Sequence, residues 1–205
     1  AEKTLGFWST GAQPFVSPEG TAFLLNPGDC IVLDMHYKSN GKPEQEQTQV
    51  GLHFADAPPK EEMLVLSTDD RGTIYLQPNQ ANQRFYTTES TSTETTIYAV
   101  WPHMHYLGRT IKAWVKYPAG YSKPLVCIND WDPDFQLLYS LLNPMTIPKG
   151  SKIYLTGTFD NTANNVRNPF SPPRVVESGP DAEDEMLLMT LYVTEKKEPK
   201  AKAGS

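Results

Sequence analysis

The chain is predicted to be all-β. Short runs rich in Val, Ile, Tyr, Leu and Thr recur along it, Gly/Pro/Asn/Asp turn signals separate them, and no apolar face repeats at helical spacing. β-branched and aromatic side chains suit a pleated, half-buried surface, which is why such runs read as strands.

Taken in order, TAFLLN (21–26) follows the turn signal PEG and is closed by NPGD, and DCIVLDMHY (29–37) is closed by SNGKP. TQVGLHFA (48–55) and MLVLST (63–68) come next, and DDRG leads from the latter into GTIYLQ (72–77). TTIYAV (95–100) precedes TIKAWVKY (110–117), which ends at PAG, and PLVCIND (124–130) follows. PKG opens KIYLTGTFDN (152–161), and MLLMTLYV (186–193) is the last run. Short runs at this spacing are the pattern of antiparallel sandwiches. Between Thr87 and Thr96 the stretch TTESTSTETT has no apolar side chain to bury, so it is expected either to connect two sandwiches or to form an exposed, threonine-rich strand. The organisation expected is two antiparallel β-sandwich, jelly-roll-like domains. Residues 1–92 form the first, 93–194 form the second, and 195–205 form a disordered tail.

A chain of 205 residues can bury one large core or two modest ones. The net charge of -6 and the lack of a basic patch before the tail exclude a nucleic-acid footprint. No apolar run is long enough for a membrane span, and the first residues lack the pattern of a signal peptide. The expectation is a soluble chain, processed or cut from something longer. Cys30 and Cys127 could form one bridge, although nothing local sets them at bonding distance. Cysteine-rich structural zinc needs more thiolates than these, so any metal must rest on the histidines, methionines and acids.

His103 and His105 lie in WPHMHYLG. In an extended segment side chains alternate, so both imidazoles project to one face. Such a pair is half a metal site, or else two histidines satisfied by ordinary hydrogen bonds. Met186, in DAEDEMLLMTLYV, is either core filler or a soft thioether donor suited to reduced copper. Asp132, Gln136, Asp160, Asn161 and Asn168 are residue types that favour turns and bond their own backbone, and Trp131 and Phe135 are expected to pack the core or line a pocket.

Taken together, PHMHYLGR, NDWDPDFQ, PKGSKIYLTGTFDNTANNVRNPFSPP and EDEM resemble, in order and spacing, the second domain of the copper type II ascorbate-dependent monooxygenases, over about residues 97–194. The resemblance implies an enzyme with copper held by His103, His105 and Met186, O2 and a small-molecule substrate at that site, and ascorbate as electron donor. It also implies hydroxylation of an aliphatic carbon. Three protein ligands leave a position open for chemistry.

The stretch from Pro14 to Ala55 resembles the closing part of the family's first domain, which implies that the domain at 1–92 is incomplete, and the resemblance makes His36 a ligand of the other copper. That site also needs two adjacent histidines upstream, which this chain lacks, so His36 is expected to be an idle ligand or a half-buried strand histidine. His53 is expected to be structural, and Asp34 stands where the peptidylglycine-hydroxylating members carry glutamine. In those members an arginine before the histidine pair, and an asparagine and a tyrosine after the methionine, bind a peptide carboxylate. The matching positions here hold Trp101, Leu188 and Thr190, which implies a neutral or apolar substrate.

Two other readings remain open at the level of sequence. One is a secreted β-sandwich binding module that kept the fold without turnover; the other is a mononuclear copper oxygenase fed by an upstream domain or an electron-donor protein. Copper chemistry of this kind implies a periplasmic or secreted location.

Overall fold

The computed structural model describes residues 3–9, 11–35, 37 and 40–196. The fold is all-β, with eleven strands and no helix among the described residues: β1 (Thr21–Ala22), β2 (Glu61–Asp69), β3 (Tyr75–Leu76), β4 (Gln80–Ser90), β5 (Thr95–His103), β6 (Gly108–Lys116), β7 (Ser122–Ile128), β8 (Tyr139–Ile147), β9 (Lys152–Asn161), β10 (Val176–Glu177) and β11 (Leu188–Glu195). They form a five-stranded sheet in the order β1-β2-β11-β5-β8, a four-stranded sheet in the order β4-β9-β6-β7, and a small β10-β3 pair. All pairings between these strands are antiparallel except that of β1 with β2.

Period-2 alternation is clearest in β9, where every second residue from Ile153 to Asn161 is buried. Ile153, Leu155 and Phe159 meet Ile111, Ala113 and Val115 of β6 and, from the facing sheet, Ile97, Val100, Leu191 and Val193, so the two large sheets share one apolar core. β11 departs from alternation because it is buried along nearly its whole length. Its second face is covered by the N-terminal segment, where Phe15 and Phe23 pack on Tyr192; on the neighbouring β5, Phe7 stacks on Trp101 with ring centres 5.0 Å apart.

Besides the two-residue β10, the sequence leaves β8 and all but the end of β4 unread, and these two longer strands lie at sheet edges. β4 is mostly polar because only one of its long sides pairs and its outer face meets water. β8 contains Pro144 at a register shift against β5; proline has no N–H for a ladder and is tolerated at an edge or bulge.

The runs expected as strands at 29–37 and 48–55 are not strands in the structure: among the described residues none forms between Ala22 and Glu61. Ile31, Val32, Leu33, Val50, Leu52 and Phe54 are exposed, and an apolar run with no neighbouring strand and no second layer has nothing to hold it as β. TAFLLN contributes only the two residues of β1.

The polar stretch 87–96 ends β4, turns, and begins β5 in the other sheet. β2 and β4, before residue 93, pair with β11 and β9, after it, so both large sheets draw strands from either side of that position. Of the tail expected at 195–205, Glu195 closes β11 and the Lys196 amide donates to the Glu94 carbonyl at 2.9 Å; residues 197–205 lie outside the described residues. Cys30 and Cys127 are both free thiols.

Candidate metal centre

His103 is the last residue of β5, paired in register with Leu188 at the start of β11, and His105 stands in the turn that leads to β6. Alternation carries through the strand end. Met104 is fully buried in the core while the rings of His103 and His105 lie edge to face on the other side, their centres 4.9 Å apart. The sequence expectation of two imidazoles on one face therefore matches the observed arrangement.

Each ring is oriented through Nδ1. His105 Nδ1 lies 2.9 Å from the Asp184 carbonyl oxygen, which can only accept, so this nitrogen carries the proton. His103 Nδ1 lies 2.5 Å from Gln136 Oε1. The orientation of that amide is fixed by its other end, because Gln136 Nε2 donates to the Pro133 carbonyl at 2.7 Å. In the tautomer that these contacts select, Nε2 is the nitrogen left with a lone pair on each ring. His103 is also stacked on Trp101 (5.0 Å, 13°), which is stacked in turn on Phe7.

The turn under the histidines is close-packed. A Cβ at Gly108 would stand 2.8 Å from Trp131 Cδ1 and 2.9 Å from Met104 Cε, so only glycine lets β6 start against the indole. Trp131 is buried, and its Nε1 donates to the His105 carbonyl at 3.1 Å. Its own amide donates to the Arg109 carbonyl, and its carbonyl accepts from Arg167 Nη1 at 2.6 Å. The NDWDPDFQ loop thus supports both histidines, one through Trp131 and the other through Gln136.

The FDNTANNVRNP segment behaves as its composition suggests. Asn165 Nδ2 donates to the Asp160 carbonyl, and Asn168 Nδ2 donates to Asn161 Oδ1, so the loop is held by its own side chains. It touches the histidine turn through the Asp160 amide, which donates to the Leu107 carbonyl at 2.8 Å.

Met186 is half-buried and directly follows Glu185. Glu185 is fully buried (0% exposed), and its Oε2 accepts from the amides of His105 (3.0 Å) and Met186 (3.3 Å), while Oε1 accepts from the Leu107 amide (2.5 Å). Burial pushes this carboxyl up to about 8, against the backbone amides of Leu107, His105, Met186 and Gly108, which favour the ionised form. Asp70, also buried, holds the next residue, Leu187, through its amide at 3.2 Å.

Sequence reading did not single out Glu185 or Asp70, and it treated Gln136 as a turn former. Nothing in DAEDEM marks which acid is buried, since that depends on the turn 105–108 being brought to it from about eighty positions earlier. His36, the remaining sequence-predicted ligand, lies outside the described residues. Among the described residues no three His, Cys, Asp or Glu side chains gather into a metal-sized cluster, so a metal at the histidine pair would need a thioether or solvent as a further donor.

Residues 61–199 match the family described as copper type II ascorbate-dependent monooxygenase, C-terminal domain. No curated protein matches the chain.

Proposed function

Because this chain belongs to the copper type II ascorbate-dependent monooxygenase family through that C-terminal domain, we propose that it is a copper-dependent monooxygenase hydroxylating an aliphatic C–H bond of a small molecule with O2 and a reductant such as ascorbate. The proposed ligands are Nε2 of His103, Nε2 of His105 and the thioether of Met186.

The observation that carries this reading is the histidine pair. The two rings stand edge to face, each with Nδ1 committed to an oxygen acceptor. A metal-binding imidazole normally gives its other nitrogen to such an acceptor, which sets the tautomer and raises the basicity of the ligating nitrogen. Two nitrogens and a sulfur form a donor set suited to copper in both oxidation states. When bound, copper supplies a one-electron couple that a reductant can charge and O2 can draw on.

The remaining work falls to the chain. Gln136 and the Asp184 carbonyl hold the ring tautomers, the Phe7–Trp101 stack restricts rotation of His103, and the buried Met104, Leu107, Trp131 and Leu187 keep water from beneath the pair. Trp101, Leu188 and Thr190 carry no charge and are buried, which favours a neutral or apolar substrate over a peptide acid. We place the protein in the periplasm or outside the cell, where an upstream domain or an electron-donor protein would supply electrons.

The test is copper content per chain after loading and desalting, on the native sequence and on a His103→Ala, His105→Ala double variant. About one copper per chain, lost in the variant, is the expected result. No retained copper, or retention indifferent to the two substitutions, would refute the proposal.

A further inference from the structure

We infer that Glu185 is a positioning residue that locks the Met186 segment to the His105 turn, so that the thioether and the imidazoles are held at one site before any metal arrives. This rests on the ligand set proposed above and deepens it.

β5 ends at His103 and β6 begins at Gly108, so the amides of the intervening turn have no strand opposite them. An amide buried without a partner is costly, and a turn whose amides are unsatisfied does not keep one shape. Glu185 fills that role with a side chain. One of its oxygens takes the Leu107 amide, and the other is shared by the amides of His105 and Met186, so a single carboxyl group bonds both ligand-bearing segments.

The backbone of Glu185 is itself clamped. Its amide donates to the Glu177 carbonyl at 3.0 Å, its carbonyl accepts from the Gly179 amide at 3.1 Å, and it forms an isolated bridge with Ser178. The preceding carbonyl, that of Asp184, holds the His105 ring. Residues 184–186 therefore grip His105 by main chain and side chain, with Met186 as the next residue in line. No such bond from Glu185 reaches His103, which is held by Gln136 and Trp101. Loss of Glu185 should loosen His105 and Met186 while leaving the His103 support intact.

Two measurements test this. In the unmodified, metal-free protein, amide hydrogen exchange at His105, Leu107 and Met186 should be as slow as in the centre of β5 and β11. Fast exchange at these amides would overturn the inference without any variant.

The second compares the native chain, Glu185→Gln and Asp70→Asn, each loaded with copper(I), by X-ray absorption for copper–sulfur scattering and by competition for affinity. Asp70→Asn is the control, because Asp70 hydrogen-bonds the Leu187 amide, the Gly72 and Thr73 amides and the Ser178 hydroxyl but neither His105 nor Met186. Glu185→Gln should lose the sulfur contribution and on the order of ten- to a hundred-fold in affinity, as support residues of metal sites do. Asp70→Asn should keep both, even if it unfolds at a similar denaturant concentration. Native-like sulfur scattering in Glu185→Gln, or equal loss in both variants, would overturn the role. If Glu185→Gln does not fold, Glu185→Asp takes its place under the same criteria. Absence of copper or sulfur in the native chain would count against the ligand set, not against Glu185, whose hold on the turn the exchange measurement decides.

Discussion

Gly108→Ala is expected to destabilise the fold by about 1–3.5 kcal/mol, and the structure indicates where that figure comes from. The new methyl would sit 2.8 Å from Trp131 Cδ1, 2.9 Å from Met104 Cε and 3.0 Å from Met104 Cβ, whereas carbon atoms rest at roughly 3.5–4.0 Å. Something must move by nearly an ångström. Trp131 is fixed by bonds through its Nε1, its amide and its carbonyl, and Met104 is fully buried in the core, so neither wall yields freely. Overpacking of this kind costs about 1–3 kcal/mol, and displacing the indole far enough to break its bond to the His105 carbonyl adds about 1 kcal/mol. Against this, alanine narrows the unfolded ensemble and returns about 0.4–1 kcal/mol. The assay is urea unfolding of the native chain and the variant, with the slope m held as the check that only stability has changed. A loss below about 0.5 kcal/mol at unchanged m would show that the floor beneath the histidines is compliant, and would refute the claim that glycine is required there by close packing.

Further outcomes follow from the same contacts. Phe159→Ala, at a fully buried position edge-on to Phe85, should cost about 3–5 kcal/mol in urea unfolding, and Phe85→Ala less because Phe85 is only partly buried. Gln136→Ala should lower copper affinity about tenfold in a competition titration while shifting stability little, since its amide orients His103 but stabilises no core. Tyr192→Phe should be close to neutral, because its hydroxyl takes only a long 3.4 Å bond from the Phe7 amide, whereas Tyr192→Ala removes the ring that packs on Phe15 and Phe23 and should cost about 3–5 kcal/mol. The metal-free chain should lose stability as pH rises from about 4.5 towards 8. Glu185 has its folded value raised to about 8, so over that range the unfolded state releases its proton while the folded state keeps it; the slope should be missing in Glu185→Gln when the two are compared by unfolding across that window.

The alternating runs from Met63 onward were legible because alternation is a property of a strand and its one buried face, and it survives whatever the neighbouring strands turn out to be. KIYLTGTFDN and β9 coincide for that reason. The side-by-side placement of His103 and His105 was legible on the same ground, with Met104 turned the other way into the core. β4 and β8 were not, because edge strands need little apolar patterning and one of them carries a proline. DCIVLDMHY and TQVGLHFA show the opposite error. Local preference for β is not a strand until a second strand takes its hydrogen bonds, and none does so among the described residues.

What this sequence determined by itself is the class of the fold, the positions of its central strands and the pairing of two imidazoles on one face, all consequences of spacing over a few residues. The tertiary structure alone decided that β11 lies between β2 and β5, that the N-terminal segment covers its second face, and that Gln136, Trp131 and Glu185 converge on a turn far from each of them in the chain. The reason is physical: a buried carboxylate or amide is placed by the unpaired backbone groups it must satisfy, and which groups are left unpaired is known only when the sheets have closed.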